Sequence, residues 1–232
     1  MKYNNLIQRY RKSKGFTLLE LLIGLAISGI FLTSVYASFK SQQDSYLAQD
    51  QVVEMQQNIR AGVGIMIQEL RMAGFDPYRS KTVGIETAES EKIVFTLMDD
   101  LDGDRDIEKD EIRKISFEIY DAYGDGVMDI GRQVGDSANT KRAISENIEA
   151  LEFFYLDGDG EEIPWADIEV NPTKKDEIRS VRISVLARVG RPDQKFINYE
   201  TYTSASGAVW GPYNDHLRRR FQIVTVQLRN LE

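Results

Sequence analysis

From Phe16 to Phe39 the chain runs 24 residues with a single charged residue, Glu20. At ~1.5 Å rise per residue such a helix is roughly 36 Å long, enough to cross a hydrocarbon core of about 30 Å. Lys2, Arg9, Arg11, Lys12 and Lys14 stand before it with no acid among residues 1–14, and the next charge after it is Lys40. The positive-inside bias places the N-terminus in the cytoplasm and everything after about residue 40 outside. A secretory signal peptide is the rival reading, but its cleavage site would follow a short apolar stretch and sit among small residues. Here the stretch is long enough to span, and the unusual junction lies ahead of it.

That junction reads Lys14-Gly15-Phe16-Thr17-Leu18-Leu19-Glu20. With the apolar helix that follows, it resembles the class III leader of type IV prepilins and pseudopilins. The resemblance implies that a membrane prepilin peptidase cuts between Gly15 and Phe16 and that Phe16 is then N-methylated. Glycine at the cut lets an extended backbone enter a peptidase cleft without a side chain in the way. Glu20 lies one turn inside the membrane helix, where a carboxylate is expensive; deeper in the bilayer insertion costs roughly 2.5–3.5 kcal/mol. The resemblance supplies its partner, the new ammonium of Phe16 on a neighbouring subunit, against the plainer alternative of a glutamate that snorkels to the interface.

Beyond the span, Val52, Met55, Ile59, Val63, Met66, Leu70 and Ala73 recur at spacings of three and four, one apolar stripe on an otherwise polar helix. Gly74 and Pro77 end it. The stripe predicts a packed face rather than a cofactor site. Residues 93–98, 112–120, 148–156, 181–189 and 221–228 alternate or run apolar between Gly/Asp-rich turns, as strands do. The expected fold class is α+β, a long N-terminal helix, transmembrane then amphipathic, packed on a mostly antiparallel β-sheet head. The expected division is a leader over 1–15, a transmembrane half over 16–39, an amphipathic half over 40–74 and an extracytoplasmic head over 75–232.

The likeness continues into the head. Gln56-Gln57-Asn58-Ile59-Arg60 with Glu69-Leu70-Arg71-Met72-Ala73-Gly74-Phe75 resembles the helix end of PilW-type minor pilins. Residues 147–157 and 178–185 resemble that family's paired strands, and Arg218-Arg219-Arg220 with residues 226–230 its closing strand. Major pilins of the commonest class close a C-terminal loop with a disulfide and often bend the first helix with a proline. This chain has no cysteine and its first proline is Pro77, which favours a low-copy minor subunit. The J pseudopilin of type II secretion shares these patterns, and a membrane-tethered periplasmic domain outside any fibre is a third alternative.

The net charge is −8, and residues 86–162 hold 23 of the 37 acids against 8 bases. A nucleic-acid binder would reverse that sign. Within the acidic stretch, Asp100, Asp102 and Asp104 fall at positions 1, 3 and 5 of a twelve-residue calcium loop. Ile107 falls at the apolar eighth position and Glu111 at the bidentate twelfth, with Asp106 a further candidate ligand. Arg105 stands where such a loop needs glycine, and the flanks read as strands, so a solvated acidic hairpin tip is the alternative to calcium. Asp121, Asp125 and Asp129, and likewise Asp157-Gly158-Asp159-Gly160, read as hairpin turns. Arg218–Arg220 face acidic loops or a partner, strand alternation alone sending two of the three to solvent. With no cysteine and only His216, zinc and thiol chemistry are excluded, and no catalytic constellation is present. The expectation is a non-enzymatic subunit of a type IV pilus, held in the inner membrane with its head periplasmic and then on the pilus or cell surface. Its implied partners are the prepilin peptidase, other minor pilins, the major pilin and the inner-membrane assembly platform.

Overall fold

The computed structural model describes residues 15–99 and 111–231. It divides into two compact units, one ending at Leu47 and the other beginning at Ala48. Helix α1 (Leu18–Leu70) supplies both. In the first unit its apolar side chains, among them Leu22, Leu25, Ile30, Phe31 and Phe39, are exposed around the helix. By length and composition this part of α1 can cross a membrane. Its hydroxyls bond to the helix's own carbonyls, Thr33 Oγ1 to Gly29 O at 2.8 Å and Ser34 Oγ to Ile30 O at 2.9 Å. That satisfies polar groups where no water would.

In the second unit, Met55, Ile59, Val63, Met66 and Leu70 are buried on one face of α1, and Val52 packs beside them. They meet an antiparallel sheet of β1 (Ile85–Ala88), β2 (Lys92–Met98), β3 (Ile112–Tyr120), β4 (Met128–Val134), β5 (Arg142–Leu156), β6 (Glu162–Ile163), β7 (Ser180–Arg188) and β10 (Arg219–Gln227). The order is β1-β2-β3-β4-β5-β7-β10, with β6 also on β5. A short helix α2 (Trp165–Val170) follows β6, and β8 (Tyr202–Thr203) pairs with β9 (Val209–Trp210). Phe95, Phe117, Ile130, Leu151, Phe153, Ile183 and Val185 form the sheet side of the core.

Strand β5 makes the sheet curl. Its first half pairs with β4 and its second with β7. Between them Asn147 takes φ 58°, and its N–H donates to Asp129 Oδ1 at 3.2 Å. Past the end of β4, the β1–β2 turn returns to β5: Phe153 N–H donates to Ser90 O at 2.7 Å, and the buried Tyr155 hydroxyl to Glu89 O at 2.7 Å. Burial raises the Tyr155 pKa well above its ordinary value, so the phenol stays a donor.

Two glycines have steric reasons. A Cβ on Gly62 would stand 2.6 Å from Ser145 Cβ, so glycine lets α1 approach β5. Gly74 takes φ 73° after the last turn of α1, where Asn230 Nδ2 donates to Arg71 O at 3.0 Å.

The helix was expected to reach Ala73; it ends at Leu70, and residues 71–74 form a turn with Ala73 N–H donating to Leu70 O at 3.1 Å. Strand β5 begins six residues before the expected Ile148, and β1, β4, β6, β8 and β9 were not anticipated. Strand β4 escaped because Gly131 breaks its pattern. The Tyr120 ring occupies the space a Cβ would take there.

Candidate functional site

Three regions carry the residues marked by sequence. The first is the start of α1. Thr17 precedes the first helical residue, Leu18, and Glu20 sits three positions after Thr17. Thr17 N–H and Oγ1–H donate to Glu20 Oε2 at 2.8 and 2.9 Å, and Glu20 N–H donates back to Thr17 Oγ1 at 3.2 Å. This is a reciprocal capping box, satisfying donors that a helix start leaves without intrahelical partners. The sequence reading found Glu20 but not its local partner, although Thr-x-x-Glu is a known helix-start spacing. Gly15, Phe16 and Glu20 are all exposed, Phe16 at 91%. Of the expected leader over 1–15, residues 1–14 lie outside the described residues.

The second region is the acidic loop. Asp100, Asp102, Asp104 and Asp106 lie outside the described residues. Glu111 is buried beside the start of β3, and its carbonyl accepts from Asp99 N–H at 2.8 Å. Among the described residues no group of three or more His, Asp or Glu side chains is placed to hold a metal. The two other acidic stretches are turns. Asp121 Oδ1 accepts from Gly124 N–H at 2.7 Å and Oδ2 from Gly126 N–H at 2.9 Å. These bonds, Gly126 foremost, hold its pKa below the usual carboxylate value. Asp157 Oδ1 accepts from Asp159 N–H and Glu161 N–H, each at 2.9 Å. Each carboxylate is a backbone acceptor that closes its hairpin.

The third is the set of polar motif residues in the head, which the fold brings together in pairs. Glu69 takes a fork from Arg132 of β4, Nε to both oxygens at 2.9 Å. Asn58 Nδ2 donates to Glu146 O at 2.8 Å. Arg219 reaches Glu149 Oε2 at 3.0 Å and Asp215 Oδ1 at 2.7 Å, with its guanidinium carbon 3.8 Å from the Tyr213 ring centroid. These ties fasten α1 to β4 and β5, and β5 to β10.

Of the three consecutive arginines Arg219 is the most deeply covered. Its side chain is 1% exposed, because the connection between β7 and β10 folds back over that face of the sheet. Ala205 N–H donates to Ser184 Oγ of β7 at 2.9 Å, and Tyr202 and Trp210 pack on Phe221, centroids 6.0 and 5.8 Å away. Arg218 pairs with Asp193 at 2.8 Å, and Arg220 stays exposed. The acids that face Arg219 are thus Glu149 and the connection's Asp215.

The chain matches two families. Residues 10–36 match the prokaryotic N-terminal methylation motif, and residues 123–230 match the type IV pilus-assembly protein W family. No curated protein matches the chain by sequence. Among solved structures, a type IV-like pilin from Thermus thermophilus aligns over 76% of this chain and 97% of its own, at 16% identity and TM-score 0.47. The two families meet in one chain, the first over the start of α1 and the second from the β3–β4 turn to the residues after β10.

Proposed function

We propose that this chain, a type IV pilin-like protein of the PilW type, is a minor subunit that helps prime or cap a type IV pilus. The observation that carries the reading is the joining of the methylation motif at residues 10–36 to a PilW sequence over 123–230. In this reading the leader peptidase cuts after Gly15, and Phe16 becomes a methylated terminal amine. The exposed apolar half of α1 anchors the subunit in the inner membrane with its head on the periplasmic side. Lipid keeps that surface from water first, and packing against other subunits replaces the lipid in the fibre. Glu20 pairs with the Phe16 ammonium of a neighbouring subunit, a charge-assisted contact that sets axial register in an apolar surrounding. Its partners are other minor pilins, the major pilin and the inner-membrane assembly platform.

The test is co-expression with a leader peptidase and the minor subunits of a type IV pilus. Mass spectrometry should find a mature chain that begins at methylated Phe16. Glu20→Ala should leave cleavage and membrane insertion intact while reducing co-purification with the other subunits. An intact Met1 terminus with the peptidase present, or normal recruitment of the Glu20→Ala chain, overturns the assignment. Recruitment by type II secretion subunits alone would reassign the protein to a pseudopilus.

A further inference from the structure

A cavity of about 880 Å³ opens where the end of α1, the segment leading into β1, residues 175–179 and the C-terminal Asn230–Leu231 meet. Its volume is that of a ligand-sized site. The walls present Arg79, Lys81, Lys175 and Arg179, a concentration of positive charge on a chain whose net charge is −8. Phe75, Val83 and Leu231 give the same cavity apolar surface.

Two acids also line it, but Asp76 is occupied. Its carboxylate accepts from Tyr78 N–H at 3.0 Å, Ser80 Oγ at 2.8 Å and Lys81 N–H at 2.9 Å, closing the turn on which the cations sit. That turn holds Arg79 at φ 55° and Lys81 at φ 60°. Left-handed backbone is uncommon outside glycine, and persists in longer side chains where the surroundings enforce it. Neither Arg79 nor Lys81 has a salt-bridge partner among the described residues. Among the described residues Lys175 Nζ reaches only the Glu86 carbonyl, at 3.3 Å. Arg179 donates through Nη1 to the carbonyls of Asp176 and Ile178, at 2.7 and 3.0 Å. Four cationic residues therefore line one concavity against two acids, Asp76 and Asp176, and none of the four has a salt-bridge partner among the described residues.

We propose that this cavity docks an acidic peptide segment of a partner protein. Cations at four separate wall positions with apolar surface between them suit several carboxylates spaced along a backbone around an apolar side chain. A single inorganic anion would engage one or two of the four. Binding at such a site weakens as salt screens the charges.

The experiment is fluorescence anisotropy on the full-length chain in non-ionic detergent, with fluorescein-labelled Glu-Asp-Leu-Asp-Glu as the probe and Gln-Asn-Leu-Asn-Gln as the uncharged control. Saturable binding of the acidic probe alone is expected. Arg79→Gln/Lys81→Gln should weaken it at least tenfold, and Lys175→Gln/Arg179→Gln, on a separate wall, should act in the same direction. Arg60→Gln/Arg220→Gln, exposed cations outside the cavity, should leave affinity within twofold. Unchanged affinity in both cavity variants overturns the proposal, as does an equal loss in the Arg60/Arg220 control. Phosphatidylglycerol vesicles or inorganic phosphate binding through Arg79 and Lys81 in place of the peptide also overturns it. Binding is read on the isolated chain, so it stands or falls independently of fibre assembly.

Discussion

Replacing Gly62 by alanine tests how closely α1 rests on β5. A Cβ there would stand 2.6 Å from Ser145 Cβ and 3.3 Å from both Ile144 O and Ser145 Oγ. Two effects oppose. Alanine in a helix interior gains about 0.5–1 kcal/mol over glycine, whereas overpacking a close-packed interior costs roughly 1–3 kcal/mol. The contact is with a backbone-borne Cβ rather than a flexible side-chain end, so the steric term wins and the net loss is about 0.5–2 kcal/mol. At roughly 2–4 °C per kcal/mol for a unit of this size, the melting temperature should fall by about 1–8 °C. The companion substitution is Ser145→Gly. It removes the opposing Cβ together with a buried hydroxyl that has no hydrogen-bond partner among the described residues. In that background Gly62→Ala should be neutral or stabilising, a coupling of about 1–3 kcal/mol. Thermal melting of the four full-length chains in detergent, followed by the fluorescence of Trp165 and Trp210, reads the cycle. A Gly62→Ala chain that melts at or above wild type, or that loses the same amount in both backgrounds, refutes the reasoning.

Arg219→Met should destabilise the head. Removing one partner of a fully buried pair costs about 3–5 kcal/mol and of a surface pair ~0–1 kcal/mol; partly wetted Glu149 and Asp215 place this case near 2 kcal/mol. The Arg219 hydrogen bonds hold the Asp215 carboxyl below the usual range, so that stability is present above its unfolded pKa near ~3.9 and lost as pH falls through the folded value. Melting against pH should show a shallower loss below about pH 4 in Arg219→Met than in wild type, and identical profiles would contradict the pairing. Thr17→Val should weaken recruitment into the fibre complex and Thr17→Ser restore it; equal recruitment of all three chains would separate the capping box from assembly. For the loop over Asp100–Glu111, a bound calcium ion at a hundredfold excess over its dissociation constant would add about 2.7 kcal/mol. Melting in EGTA and in millimolar calcium should therefore differ, and a shift that is absent, or that survives both Asp102→Ala and Glu111→Ala, rules the site out.

The parts legible in the sequence were those whose signal is periodic. The stripe from Val52 to Ala73 is buried from Met55 onward and half-buried at Val52, because a helix face against a sheet repeats every three to four residues whatever the sheet's details. Ile112–Tyr120 appears with its expected bounds, since polar sequence flanks it. What escaped depends on contacts distant in sequence. The 189–218 connection covers part of the outer face of β7 and the start of β10, so Leu186 and Ser184 are as inaccessible as Val185. Alternation cannot report a face covered by the chain's own return, so it could not show what encloses Arg219. The cavity cations are scattered over residues 79–179 and meet only after folding.

Glu20 was legible as a residue but not as a geometry. A carboxylate near the start of a spanning helix reads first as an intersubunit partner, and the structure shows it serving its own helix. The two roles are compatible at the atomic level. Both Thr17 donors fall on Oε2, so Oε1 has no hydrogen bond among the described residues and can accept from an ammonium approaching from outside. The cap also fixes the rotamer, which lowers the entropy lost when such a contact forms. In the proposed assembly contact Thr17 would act through Glu20, as a positioning residue whose hydroxyl matters more than its size. A helix start that would be short of acceptors in an apolar medium is completed by the same carboxylate that remains open to a neighbour.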